Sequence, residues 1–150
     1  MVSRVILLDS GPLGLITNPR LSSESLDCTR WFQSLVVAGV RVVIPEIVDY
    51  EVRRELLRAN KLRGLRRLDE FVDQAEYLPI TTLAMRQAAV FWAEARQQGQ
   101  PTAGDKTIDA DVILAAQAFT LVDGEVTIAT TNVGHLSRFV PAQLWCDITP

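Results

Sequence analysis

The sequence predicts a three-layer α/β/α sandwich around a central, mostly parallel sheet. Short, largely apolar runs at residues 5–8, 41–44 and 126–129 have the length of strands buried on both faces. Longer segments with apolar residues at helical spacing lie between them. Such alternation requires crossover helices over the faces of a parallel sheet.

The first run, Val5-Ile-Leu-Leu8, stops at Asp9-Ser10-Gly11-Pro12. It reads as a buried strand meeting a turn, with Pro12 suited to the first turn of a short helix. After Asn18-Pro19, Ser22 or Ser23 can cap a helix to about residue 38 with Trp31, Leu35 and Val36 on its apolar side; Gly39 ends it. Residues 41–44 form the second strand and Pro45 leads into a helix over 46–59. Another helix follows over 62–73, and residues 77–80 form a short third strand. Thr81 or Thr82 caps a helix to about 97. Gly99, Pro101 and Gly104 mark a loop over 98–105. Residues 108–120 form an unusually apolar helix, 126–129 a fourth strand, and 144–146 a fifth.

With 150 residues, the chain suits one domain, 1–150, large enough to bury a real core. Its 48% hydrophobic and 22% charged residues are ordinary for a globular protein and exclude a disordered one. No apolar run reaches the ~18–20 residues of a membrane span, and the run before Asp9 is too short for a secretory signal. A cytoplasmic protein is expected, with no membrane association and with Cys28 and Cys146 as free thiols. A single histidine, His135, excludes a multi-histidine zinc site.

Sites in open parallel sheets form at the carboxyl ends of strands, so polar residues at strand exits are the candidates. Asp9 follows the first strand directly; it can be a turn or cap residue or a catalytic acid. Asp111 has Ile108, Leu114 and Ala115 as helical neighbours, and a carboxylate on an apolar face needs a partner. A place in the first helical turn would also let the dipole stabilise it. Asp109 suits either an N-cap or a metal ligand. Glu51 borders the stripe of Ile47 and Val48, but Glu46, Asp49 and Glu55 compete with it, and spacing does not choose among them. Thr130, Thr131 and Asn132 leave the fourth strand, as turn formers or as groups that position a water or phosphate. Converging carboxylates of this kind suit Mg2+ or Mn2+. A divalent ion would relieve their repulsion, activate water and stabilise charge at a phosphate.

Taken together, Val5–Gly14 (VILLDSGPLG), Ile44–Leu56 (IPEIVDYEVRREL), Asp109–Ala118 (DADVILAAQA) and Ile128–Leu136 (IATTNVGHL) resemble the PIN-domain family, in particular its VapC-type toxins. The ordered set spans essentially the whole chain. The resemblance implies a Rossmann-like sandwich and a metal-dependent ribonuclease. It assigns the family's acids to Asp9, Glu51 and Asp111 as metal ligands, with Asp109 as an accessory acid. The fourth acidic position departs from the pattern, since Asn132 and His135 stand where many members carry aspartate. Asn132 can orient water without adding charge. Ser10 is expected to support Asp9, and Thr130 and Thr131 to support the water or phosphate. An antitoxin partner and a homodimer are implied by the resemblance alone.

The net charge of −3 does not advertise RNA binding, but seven basic residues fall within 53–67, opposed in that window only by Glu55. They form either a solvated helical face or a phosphate-attracting patch. On the second reading Arg53, Arg54, Arg63, Arg66 and Arg67 contact RNA. Other α/β families fit less well. A dehalogenase-type phosphatase wants an acid where Gly11 stands, and a receiver domain wants paired acids at the first strand. A dinucleotide fold wants a Gly-x-Gly-x-x-Gly turn, which Gly11 and Gly14 do not make. The alternative to an enzyme is a catalytically degenerate PIN-like module that binds RNA or protein and uses its acids as caps.

Overall fold

The computed structural model describes residues 3–98, 105–122 and 124–150, with only the backbone at 105–108. In chain order the elements are β1 (Arg4–Leu8), α1 (Ser10–Thr17), α2 (Ser23–Val37), β2 (Arg41–Pro45), α3 (Glu46–Arg58) and α4 (Leu62–Gln74). They continue with β3 (Glu76–Leu78), α5 (Thr82–Gln97), α6 (Asp105–Thr120), β4 (Glu125–Thr130) and β5 (Ala142–Leu144). The strands form one sheet in the order β3-β2-β1-β4-β5, and every pairing is parallel. The mostly parallel sheet expected from sequence is thus parallel throughout the described residues.

The pattern of apolar runs explains the order. Val5–Leu8 of β1 are at most 2% exposed, because β1 lies mid-sheet with layers on both faces. The chain steps from β1 to β2 to β3 on one side and then returns to β4 on the other. Right-handed crossovers therefore put α1 to α4 over one face and α5 and α6 over the opposite one. Packing of α1 against α2, α3 and α4, and of α5 against α6, agrees with that division, while α3 also meets α6 where Ile47 faces Gln117. The strand order reverses between β1 and β4, and ligands of such sheets bind at that point, beyond the strand ends.

Local signals hold each helix. The Ser22 hydroxyl accepts the Ser25 N–H (3.1 Å) and the Thr81 hydroxyl accepts the Ala84 N–H (3.0 Å), choosing Ser22 and Thr81 as caps. Gly39 follows α2 at φ +82°, a left-handed position that suits glycine. The start of α3 has Pro45 in the cap position and no side-chain cap of its own. Gln117 of α6, 2% exposed, serves instead: its carbonyl accepts the Ile47 N–H (3.3 Å) and its amide donates to the Leu78 carbonyl (2.9 Å). One buried amide thus joins α6, α3 and β3. At the C-terminus, the Trp31 indole donates to the Ile148 carbonyl (2.9 Å) beside the ring of Trp145.

α1 begins at Ser10, capped by Asp9, which places Pro12 in its first turn as expected. Several boundaries differ from expectation for local reasons. The third strand is residues 76–78 rather than 77–80. The fifth is 142–144 rather than 144–146, since Trp145–Asp147 turn into a 3-10 helix. α6 starts at Asp105, three residues before the expected 108. Residues 99–104, most of the expected loop, lie outside the described residues. Cys28 is buried and Cys146 exposed, both as free thiols. Among the described residues no helix is long and apolar enough to cross a membrane.

Candidate active site

At the switch point β1 hands over to α1 at Asp9. The Asp9 N–H still pairs with the Ala129 carbonyl of β4 (2.9 Å), so the ladder runs one residue past β1 and fixes the Asp9 backbone. One carboxylate oxygen accepts the Ser10 N–H (2.7 Å); the other accepts the Thr130 hydroxyl (2.7 Å). Thr130, 1% exposed, is the last residue of β4 rather than a turn residue, and its oxygen also accepts the Asn132 N–H (3.1 Å). It therefore acts through Asp9, as a positioning residue. The sequence held one clue to the close approach here. A side chain at Gly11 would bring its first carbon within 2.5 Å of the Thr131 methyl, so only glycine lets α1 lie this near the exit of β4.

Glu51 reaches the same space from α3, and Asp111 from α6. Both are half-buried. Burial, reinforced by the charges of Asp9 and Asp111, pushes the Glu51 carboxyl up from an ordinary 4.5 to about 7, while the Arg54 guanidinium pulls the other way. Burial and then the charge of Asp9 raise Asp111 too, with His135 opposing. The three acids, from the β1–α1 junction, α3 and α6, thus feel one another's charge.

The competitors of Glu51 have other work. Glu46 accepts the Ile80 N–H (2.8 Å), and Asp49 accepts from Arg53 and from the Tyr77 hydroxyl (2.9 Å). Glu55 pairs with Arg58 (2.8 Å). Spacing leaves the choice open, but partnership leaves Glu51 as the α3 acid facing Asp9.

Two expectations for α6 are corrected. Because the helix starts at Asp105, Asp109 lies inside it and cannot be its N-cap, and Asp111 lies beyond the first turn, where dipole support is greatest. At 100° per residue, two positions separate Asp109 from Asp111 by ~200°. Asp109 accordingly sits exposed beside Met85, Trp92 and Ile113 in a cleft between α5 and α6, and the fold does not bring it to the three acids.

Asn132 and Thr131 are exposed beyond β4. The Asn132 side-chain oxygen accepts the Gly134 N–H (3.1 Å), an Asx turn. Ser10 lines a cleft with Glu51 and Arg54. His135 is a site neighbour that sequence left ambiguous. Its charge lowers Asp111, and its Nδ1 is buried without a hydrogen-bond partner among the described residues.

Three half-buried carboxylates with mutual repulsion, beside an unpartnered imidazole nitrogen, fit a hard divalent cation. Among the described residues no three acidic, histidine or cysteine side chains close into a ready-made cage. An ion held by these donors would have to keep part of its water shell, as Mg2+ commonly does.

No protein-family model and no curated protein matches the sequence. Solved structures do match it in shape. A chain of VapBC-1 from nontypeable Haemophilus influenzae superposes with a TM-score of 0.70 at 17% identity, over 95% of this chain and 99% of that one. A chain of VapBC2 from Rickettsia felis, bound to a DNA fragment from its promoter, gives 0.68 at 16% identity over 94% and 98%. A chain of FitAcB from Neisseria gonorrhoeae gives 0.68 at 20% over 95% and 99%. The fold is PIN-like. At these identities the likeness is one of architecture.

Within this PIN-like fold the basic segment is less uniform than its sequence suggests. Arg53 bridges Asp49 (3.0 Å) and Asp69 (2.6 Å), acids just outside the window in which Glu55 stood alone. Arg67 donates to the Thr17 carbonyl (3.2 Å), closing the end of α1. Arg54 stacks over Tyr50, 5.1 Å from the ring centre, beside Glu51. Arg63 and Arg66 are exposed, without an ion pair among the described residues.

Proposed function

We propose that this chain is a metal-dependent endoribonuclease and the toxin of a toxin–antitoxin pair. The observation that carries the reading is the electrostatic coupling of Asp9, Glu51 and Asp111, in which burial and mutual repulsion raise Glu51 and Asp111. Like charges that share one space with no ion pair among the described residues favour a bound cation.

Asp9, Glu51 and Asp111 would hold Mg2+ or Mn2+, directly or through water. Such an ion supplies positive charge to the phosphate in the transition state and makes a water easier to deprotonate. Thr130 and the Ser10 N–H keep the Asp9 carboxylate in one orientation, so its lone pairs need no rearrangement when the ion arrives. Asn132 spends its oxygen on the turn, which leaves its amide hydrogens to orient a water or phosphate oxygen. Arg54 supplies positive charge beside Glu51, where an RNA phosphate would lie.

The toxin reading rests on the solved toxin–antitoxin structures that share the fold. On that reading an antitoxin segment covers the acidic cleft and the chain works as a homodimer.

A specific observation favours a second reading, a degenerate module that binds without cutting: the cage is not closed, and Asn132 and His135 add no carboxylate. Cleavage of a mixed single-stranded RNA pool decides between them. Metal-dependent cutting, lost in EDTA and in Asp9→Asn and Asp111→Asn while both variants stay folded, supports the nuclease. No cutting above the level of the variants, together with no stabilisation by Mn2+, favours the module.

A further inference from the structure

Two clefts adjoin on the α1–α3–α4 side of the molecule. The smaller, about 380 Å³, holds Ser10, Glu51 and Arg54. It shares Val52, Leu56 and Lys61 with a larger groove of about 600 Å³ that continues toward the end of α1. The walls of the larger groove carry Arg20, Lys61 and Arg63, all exposed. None of the three has an ion pair among the described residues. Arg20 lies more than forty positions from Arg63 in sequence, and folding brings it to the same groove. On the α5–α6 side, the cleft beside Asp109 is lined by no basic residue among those described.

We infer that single-stranded RNA is held on one flank of the cleavage point along this groove, with Arg20, Lys61 and Arg63 contacting its phosphates. The inference rests on the nuclease reading and adds a direction to it. A strand whose phosphodiester lies at Asp9, Glu51 and Asp111 must leave the centre through an open channel. The channel that opens beside Ser10 and Glu51 is walled by cations that have no ion pair among the described residues. Val52 and Leu56 give it an apolar floor for the faces of bases or sugars. The patch thus contains Arg20 and Lys61, and leaves out Arg53 and Arg67, whose guanidinium groups are engaged within the protein.

Gly14 offers a clean obstruction. It lines the groove from α1, and a side-chain carbon built there meets nothing within 4 Å. Gly14→Ala should keep the fold and raise the Tm slightly, since alanine is the better helix former. Gly14→Glu should also fold while placing bulk and negative charge in the path.

The test is RNA binding by the full chain carrying Asp9→Asn, so that the probe survives. The probe is a labelled 12-nucleotide single-stranded RNA of mixed sequence, titrated from 50 to 200 mM salt. Each phosphate contact on a single strand adds about 0.7 to the slope of log affinity against log salt. Replacing Arg20, Lys61 and Arg63 together by Gln should lower the slope by about 2, so that the salt-induced loss of affinity over this range shrinks about 20-fold. Gly14→Glu should weaken binding at least ten-fold and Gly14→Ala should not. Unchanged slope and unchanged affinity in Gly14→Glu would overturn the inference. If the wild-type chain nonetheless cleaves RNA, the nuclease reading survives without the groove. If the wild-type chain neither cleaves RNA nor binds it in the silenced form, both fall. Retention of a poly-glutamate peptide, in place of RNA, through the same three cations would make the groove a peptide site and overturn the inference.

Discussion

Replacing Glu51 by Gln should stabilise the metal-free protein at pH 8 and blunt its response to Mn2+. In the folded chain Glu51 holds its proton up to about 7, against an ordinary 4.5, with burial as the main cause and Asp9 and Asp111 next. The folded state therefore binds that proton more tightly than the unfolded state. Its contribution to stability is complete below pH 4.5 and is lost as the pH rises toward 7. The full difference corresponds to about 3 kcal/mol. Glu51 remains partly open to solvent, and screening reduces this to roughly 1–2 kcal/mol. For a chain of this size that is a rise of about 2–8 °C in Tm. Thermal unfolding by circular dichroism at pH 5 and pH 8, in EDTA and then in Mn2+, reads it. Wild type should lose more stability than Glu51→Gln between pH 5 and pH 8 in EDTA, and should regain more in Mn2+. A variant that is less stable than wild type at pH 8 in EDTA, or that gains as much from Mn2+, would refute the reasoning.

Three other substitutions test the supports of the site. Thr130→Val removes the hydroxyl on Asp9 while keeping shape; cleavage should fall about ten-fold, equivalent to ~1.4 kcal/mol in the barrier, and an unchanged rate would deny Thr130 its positioning role. Gly11→Ala forces α1 away from Thr131 and should cost about 1–3 kcal/mol in chemical denaturation; wild-type stability there would mean the contact relaxes freely. Gln117→Leu leaves the Ile47 N–H and the Leu78 carbonyl without their buried partner and should cost roughly 2–4 kcal/mol; a neutral result would show that the amide does not tie α3 to α6.

Much of the architecture was legible because strands buried on both faces must be apolar. β1, β2 and β4 announce themselves in this way, while the short edge strands β3 and β5, only three residues each, were displaced by one or two positions. Asp9 was legible as a strand exit. Glu51 was not separable from Glu46 and Asp49 by spacing, because what distinguishes them is a partner 30 or so residues away in each case: the Ile80 N–H and the Tyr77 hydroxyl. Asp109 misled because the helix starts four residues before it, beyond a stretch whose glycines and proline suggested a loop. The basic segment misled in part for the same reason as Glu46: Asp69 and the carbonyl of Thr17 are partners brought by folding. Gln117 carried no local signal, since a glutamine on an apolar helix becomes a cap only when another helix begins against it.

The most direct test of the central claim is a calorimetric titration of Mn2+ into the wild-type chain, Asp9→Asn, Glu51→Gln and Asp111→Asn at pH 8. The account predicts saturable binding to wild type and at least ten-fold weaker binding to each variant, because each acid comes from a different element and none can replace another. Absence of binding to wild type, or equal binding to all four proteins, would contradict it.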